Sequence, residues 1–340
     1  MKVIVDFVHI PHINLFKNVI KELNAQGKEV EIICLDRGAN FKIAKNEYPS
    51  NKITMLGSYK SNLFSIIFQA NIWRFIQMIK LLSFKNFDIG VSAGSFILGF
   101  CLKILNIPNI QITDDLENRK NKLLLRLSST ALFYPLFDTL DKKNHLFKGL
   151  KEWSYLSPDY FSPDISKLEK YNVNPKEYIF VREVSVGSSN YLKQERDLIL
   201  KIAKSFPEEV PVLLSLENKN NDKIYPKNWT ILKEPIEDVY SLIYFSKVLV
   251  SSGDSMSREG AMLGVPSVYC GIREMAANKI MIDRNILFHI KPIEVPEFLL
   301  GVFDAGFTFE DQTSFRKKLL DEWDDVTKFI LDQIESYGGK

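Results

Sequence analysis

Short apolar runs alternate with stretches of helical periodicity from the first residue onward. Lys2–Phe7 carries Val3, Ile4, Val5 and Phe7 and reads as a buried strand. Val8-His9-Ile10-Pro11 reads as a connection. Ile13, Phe16, Ile20 and Leu23 then fall at helical spacing through His12–Gln26, and Gly27 stops that helix. Glu29–Leu35, Asp88–Ser92 and Pro108–Thr113 are further strands, and Ala93-Gly94-Ser95 opens an apolar helix that runs to Leu105. The prolines and serines of Trp153–Asp164 mark a linker, after which the alternation restarts. Tyr178–Val181, Val210–Leu216, Trp229–Leu232, Val248–Val250 and Val265–Cys270 read as strands. Asp197–Phe206, Glu237–Phe245 and Arg258–Leu263 read as helices, with one long amphipathic helix, Phe315–Ser336, closing the chain. Strand and helix alternating twice over predict an α/β protein with two parallel sheets.

Composition narrows the class. The 340 residues suffice for two domains with full cores, and 46% apolar with 25% charged residues is ordinary for a globular chain. A net charge of +2 and the lack of a basic tail argue against nucleic acid as partner. Cys34, Cys101 and Cys270 sit in apolar surroundings without paired spacing, as reduced core residues of a cytoplasmic protein do. Met1–Asp6 meets charge too early for a secretory signal, and no charge-free apolar run reaches the ~18 residues a transmembrane helix needs.

The richest stretch is Lys247–Cys270. A buried strand, the small polar residues Ser251–Ser255 and a helix beginning at Arg258 make an anion site, because unpaired backbone N–H groups and the helix dipole point at its occupant. Ser252, Ser255 and Ser257 add hydroxyls. Glu259, expected in the first helical turn, would repel a phosphate but would suit the two hydroxyls of a ribose; it would equally suit the helix dipole alone. His12 lies at the start of a helix above the carboxyl end of the first strand. It serves either as a packing or capping group or as an acid/base or phosphate-binding group. Asp114 and Asp115 sit at a strand tip, where mutual repulsion makes one a candidate base; either could instead cap a helix near Leu116. Arg182 suits phosphate charge, and a surface ion pair with Glu183 is the simpler alternative. His9 and His12 have helical spacing for a metal, but no third ligand is visible, so no metal is expected.

Two segments carry surface questions. Asn62–Ser83 holds only Arg74 and Lys80 as charges and is apolar nearly all round, so it is either a buried helix or, with Lys60 and Lys85, one lying on an anionic membrane. Arg119–Leu150, basic and aromatic, is either a solvated helix with an apolar underside or part of the same acceptor-facing or membrane-facing surface, giving peripheral contact through 60–85 and 119–150.

The Ser/Gly loop, the Glu beyond it and the Ala261-Met-Leu-Gly264-Val-Pro266 run resemble the nucleotide-binding segment of GT-B sugar-nucleotide proteins. Among these are the N-acetylglucosaminyltransferase that completes lipid II and the non-hydrolysing UDP-N-acetylglucosamine 2-epimerases. The resemblance implies an α/β GT-B fold, two Rossmann-like domains facing across a cleft. It implies an acceptor domain at 1–157, a linker at 158–176, a nucleotide-sugar domain at 177–311 and a closing segment, 312–340, that crosses back. It also implies ribose binding by Glu259 and diphosphate binding by Ser252, Gly253 and Ser255 with Arg182, Gly187 and Ser188. Arg273 and Asn278 would contact the sugar, and His12 would be placed towards the acceptor. The chain also resembles a family catalogued as a domain of unknown function, through Pro11-His12, the segment Gly149-Leu-Lys-Glu152 to Tyr155, and Ser251-x-Gly253-x-x-Met256-x-Arg258-Glu259; Gly260 departs from that family's usual Ala. The function expected is metal-independent transfer of a sugar from a nucleoside diphosphate (UDP) to a surface-glycan or polyprenyl-linked acceptor, with no cofactor, at the inner face of the plasma membrane. His12, Asp114 or Asp115 would take the acceptor's proton. A UDP-sugar epimerase or hydrolase is the alternative, for which Asp114, Asp115 and Glu183 offer carboxylates.

Overall fold

The computed structural model describes residues 1–60, 65–115, 117–135, 145–185, 194–217, 224–233 and 236–339. The chain forms two compact units, Met1–Tyr155 with Glu322–Lys340, and Leu156–Asp321.

In the first unit β1 (Lys2–Phe7), β2 (Glu29–Asp36), β3 (Lys52–Ser58), β4 (Ile89–Ser92), β5 (Asn109–Ile112), β6 (Ala131–Pro135) and β7 (His145–Phe147) form one parallel sheet in the order β3-β2-β1-β4-β5-β6-β7. The order reverses between β1 and β4, where Asp6 stands beside Ser92 and Ser92 beside Gln111. Ile4, Ile33, Met78, Leu98 and Leu102 build the core on one face. The fit is tight at Gly90, where a Cβ would lie 2.0 Å from Leu102 Cδ1. The helix Val326–Gly338, capped by Asp325, packs against β4 and β5, with Phe329 5.3 Å from the rings of both Phe133 and Phe147.

Three expectations change here. The first helix is two, Ile10–Leu15 and Lys17–Ala25, parted at Phe16; it starts at Ile10 because Pro11 fits a first turn, where its missing N–H costs nothing. The apolar segment is a π-helix, Ser65–Trp73, followed by an α-helix, Arg74–Ser83; Asn62–Phe64 lie outside the described residues. It buries Ala70, Met78 and Leu82 yet leaves Phe68, Ile72, Trp73 and Ile76 each at least 44% exposed, so only one face is core. Finally, β3, β6, β7 and the helix Asn40–Glu47 went unpredicted. β3 and the helix mix charged and apolar residues at a sheet edge, and β6 is five residues long.

In the second unit β8 (Ile179–Glu183), β9 (Val212–Leu216), β10 (Trp229–Ile231), β11 (Val248–Ser251), β12 (Ser267–Tyr269) and β13 (Leu287–His289) form a parallel sheet in the order β10-β9-β8-β11-β12-β13. Its core gathers Val181, Ile199, Leu214, Val250, Val268 and Leu299. β13 and the helices Ala276–Ile282 and Val295–Asp304 were not foreseen. The closing helix is also two, Phe309–Glu322 in this unit and Val326–Gly338 in the first. Gln312, fully buried, anchors the former by donating to the carbonyls of Tyr244 and Leu263.

Candidate functional site

Both sheets reverse direction beside their first strand, the place where open parallel sheets bind ligands at the carboxyl ends of their strands. In the second unit that place lies between β8 and β11. Glu183, at the end of β8 and 5% exposed, accepts hydrogen bonds from Ser252 Oγ at 2.8 Å and from the amide of Ile199 at 2.7 Å. Burial pushes its pKa up, while the Ser252, Ile199 and Leu200 donors pull it back. Ser252 Oγ in turn accepts the Val184 amide at 2.9 Å, so its hydroxyl is spent on joining the two loops. Ser251 Oγ and Ser257 Oγ both donate to the carbonyl of Gly253. The loop backbone is thereby fixed from behind.

The helix begins at Asp254, four residues earlier than expected, with extended Gly253 as its cap. Ser, Asp and Gly resemble a loop in composition, but here they form the first turn and its hydrogen-bonded cap. Two consequences follow. Ser255 and Met256 occupy the first turn, where the unpaired amides are, and both are partly exposed. Glu259 lies more than a turn further along, 5% exposed, and accepts the Tyr240 hydroxyl at 2.9 Å; Asp254 is the acidic group of the first turn. The Tyr240 ring meets Phe161 edge-on at 6.2 Å.

Behind the helix, Arg258 is 1% exposed and donates to Asp254 Oδ2 at 3.1 Å and Asn278 Oδ1 at 2.8 Å. Arg273 reaches the same Asp254 oxygen at 3.4 Å. Asn278 is 2% exposed, its Nδ2 buried without a hydrogen-bond partner. Arg182 does not pair with Glu183: its guanidinium donates to Ser215 at 2.6 Å and to Glu217 at 2.7 Å, a strand away, because its side chain and that of Glu183 leave opposite faces of β8. Gly187 and Ser188 lie outside the described residues.

In the first unit, the reversal point between β1 and β4 rests on a buried ion pair. Asp6, fully buried, takes Arg74 Nη2 at 2.5 Å and Ser95 Oγ at 2.5 Å. Gln111 takes Ser92 Oγ and the Ser95 amide. Above these stand His9, at the cap of the helix Ile10–Leu15, and His12 inside it, whose rings meet edge-to-face at 5.4 Å. Arg37, from the loop after β2, lies 3.1 Å from His9 Nε2. Asp114, after β5 and 8% exposed, is bound by the Lys151 ammonium, which also contacts Glu152 Oε1 at 3.2 Å. Asp115 donates its amide to Thr113 Oγ1 at 3.2 Å, and Leu116 lies outside the described residues.

Burial holds His12 well below its usual pKa; His9, Lys151 and Arg37 add to that, and only Asp114 opposes it. Burial likewise lowers His9 to about 3, helped by Arg37 and Lys151. Both imidazoles are neutral at neutral pH, and His12 Nδ1 is buried without a hydrogen-bond partner. Among the described residues no three His, Cys, Asp or Glu side chains converge to hold a metal ion.

The structure thus gathers His12 with Asp114, and gathers Ser252, Gly253, Ser255, Met256 and Glu259 along one loop and helix. Sequence reasoning assigned no role to Asp6, Arg74, Lys151, Glu152 or Tyr240. Lys151 and Glu152 do fall in the Gly149–Tyr155 segment singled out by resemblance, which was their only signal.

Two Rossmann-like units, each with its loops at the strand-order reversal, define an α/β protein of the GT-B class. The chain belongs to the family described as "Protein of unknown function (DUF354)", whose pattern it matches over residues 1–338. It is 24% identical over 348 residues to the uncharacterized protein MJ0665 of Methanocaldococcus jannaschii, covering 98% of this chain and 97% of that one. Among solved structures it is similar in fold to the spinosyn forosaminyltransferase SpnP, at a TM-score of 0.70, 12% identity and full coverage of both chains (100% and 100%). It is similar also to the Neisseria meningitidis UDP-GlcNAc 2-epimerase bound to UDP-GlcNAc, at 0.61 and 16%, covering 99% of this chain and 100% of that one. Acinetobacter baumannii MurG matches at 0.60 and 15%, covering 98% and 99%.

Proposed function

We propose that this protein is a glycosyltransferase that takes a sugar from UDP and delivers it to a lipid-linked or surface-glycan acceptor. The observation that carries this reading is the loop after β11. Its serines 251, 252 and 257 are tied back to the scaffold, which leaves the first-turn amides of Asp254–Met262 and the Ser255 hydroxyl for an anionic diphosphate. Glu259, oriented by Tyr240, receives the ribose hydroxyls. Arg273, 3.4 Å from Asp254 of the first turn, supplies charge. In the reaction the acceptor oxygen bonds to the anomeric carbon and its proton passes to His12. The bond from that carbon to the diphosphate oxygen breaks, its electron pair leaving with UDP, and loop amides stabilise the developing charge. No metal and no cofactor enters this scheme.

A membrane-held acceptor agrees with one face of the first unit. The helix Arg119–Ser128 exposes Leu123 and Leu127 beside Arg119, Lys120 and Arg126 and carries no acidic residue. Ser65–Ser83 exposes Phe68, Ile72, Trp73 and Ile76. Apolar groups set among cations suit the inner, anionic face of a plasma membrane, contacted peripherally. No helix among the described residues is long and apolar enough to cross a membrane.

The second reading, a UDP-sugar epimerase or hydrolase, is favoured by the carboxylate Asp114 beside His12, with Glu152 joined to it through Lys151, as groups to handle a carbon-bound proton. Incubation with UDP-sugars, with and without lipid-linked acceptors, separates the two. Release of UDP that requires acceptor is the expected result, and turnover of a UDP-sugar alone would reject the transferase.

A further inference from the structure

The first unit's polar cluster contains an assignment that neither the sequence motifs nor the fold class supplies. Lys151 lies between two carboxylates, bound to Asp114 and 3.2 Å from Glu152 Oε1, with Glu152 only 1% exposed. We propose that Lys151 is a positioning residue of the first unit's site, clamping Asp114 so that His12, and not the aspartate, takes the proton of the reacting group.

The charges support this division of labour. Three charged side chains act on the histidines, Arg37 from the loop after β2, Asp114 from the loop after β5 and Lys151 ahead of the helix Trp153–Leu156, and Glu152 adjoins them through Lys151. Two positive and two negative charges cancel while both imidazoles are neutral. The ion pair between the neighbouring helices, Lys17 with Glu47 at 2.8 Å, also cancels and is partly exposed. A carboxylate engaged by a partly buried ammonium is a weak base, because protonating it would strand that ammonium. His12 carries no such tie, and its Nδ1 is buried with no partner in the protein.

When His12 takes a proton from an acceptor O–H, the N–H bond forms as the O–H bond breaks. The imidazolium then faces Asp114, the one neighbour that favours it. Lys151 keeps that help below the level at which His12 would be protonated beforehand. Take Lys151 away and the cluster is left with a net negative charge, so His12 should bind a proton more tightly.

This rests on the transferase reading only in saying where the proton comes from; an imidazole titration needs no substrate, so the two can fail separately. The chain has four histidines, few enough to resolve by NMR of the full-length protein labelled at the imidazole nitrogens. The expected result is that Lys151→Met raises the His12 titration midpoint by about one unit, a tenfold gain in proton affinity. Lys151→Arg should leave it near the native value, and Asp114→Asn should hold it at or below that value. In an active preparation the acidic limb of the kcat profile should move up with Lys151→Met while KM for the donor stays. An unmoved midpoint in folded Lys151→Met, or a rise in Asp114→Asn, overturns the proposal. Should Lys151→Met not fold, Lys151→Gln and the Asp114→Asn titration decide it.

Discussion

The two sheets share one winding and put opposite chemistry at the same topological point. Under the reversal in the first unit, Asp6 is neutralised by a cation, Arg74, brought from 68 residues away. Under the reversal in the second, Glu183 is held by neutral donors: a serine, two helix amides and the Tyr225 hydroxyl at 3.4 Å. The first arrangement supports a cluster rich in histidine and charge. The second ties down, through Ser252, the loop that leads into the helix Asp254–Met262. The strand order sets where a ligand can bind, and the residue at the end of the first strand sets what kind of chemistry the loops above it present.

The comparison is most strongly tested at Asp6. Arg74→Met leaves a buried carboxylate without its cation and should cost about 3–5 kcal/mol in chemical denaturation, whereas Asp6→Asn combined with Arg74→Met should recover much of it. Glu183→Gln, which removes no ion pair, should cost only about 1–3 kcal/mol. If the two positions prove equally sensitive, the contrast drawn between them fails.

The units also differ in their response to pH. His9 has its pKa lowered to about 3 and His12 also lies well below 6.5, so between those values the unfolded chain binds more protons than the folded one. Stability should therefore rise with pH from about 3 and level off above 6.5, by up to about 1.4 kcal/mol per unit for each histidine. Glu183, raised above 4.5, acts in the reverse sense, its contribution fading as pH climbs through that region. Thermal melts of a His9→Gln, His12→Gln protein should show the acid slope flattened. An unchanged slope would mean the histidines are not buried neutral.

A more local effect concerns Gly260. A Cβ there would fall 2.4 Å from Leu249 Cδ2 and 2.5 Å from Ser267 Oγ, so the helix Asp254–Met262 lies directly on β11 and β12. Gly260→Ala should cost about 1–3 kcal/mol and shift the loop after β11, despite Ala being the better helix former. A neutral or stabilising result would show that the helix can lift without penalty.

Much of this was legible in the sequence because it is local. The runs around Val3–Phe7 and Val248–Val250 are apolar and short, and Gly264 with Pro266 marks a helix end. The small polar residues before Glu259 marked a tight turn at a strand's carboxyl end by composition alone, and β11 does end there. What was not legible depended on distance. Arg74 reads as one of the two charges of an apolar helix until Asp6 is brought beside it, and Lys151 is an ordinary lysine until Asp114 arrives from the loop after β5. The helix start at Asp254 was missed for a different reason: Ser, Asp and Gly favour loops and caps alike, and only the hydrogen bonds to Gly253 decide between them.

The central claim is that the second unit holds UDP with Glu259 on its ribose, and titration calorimetry tests it most directly. UDP should bind the native protein, and Glu259→Gln should weaken binding by about 1.5–3 kcal/mol, roughly ten- to 150-fold, with the fold intact. Equal affinity in the two proteins, or no UDP binding to either, would contradict the account.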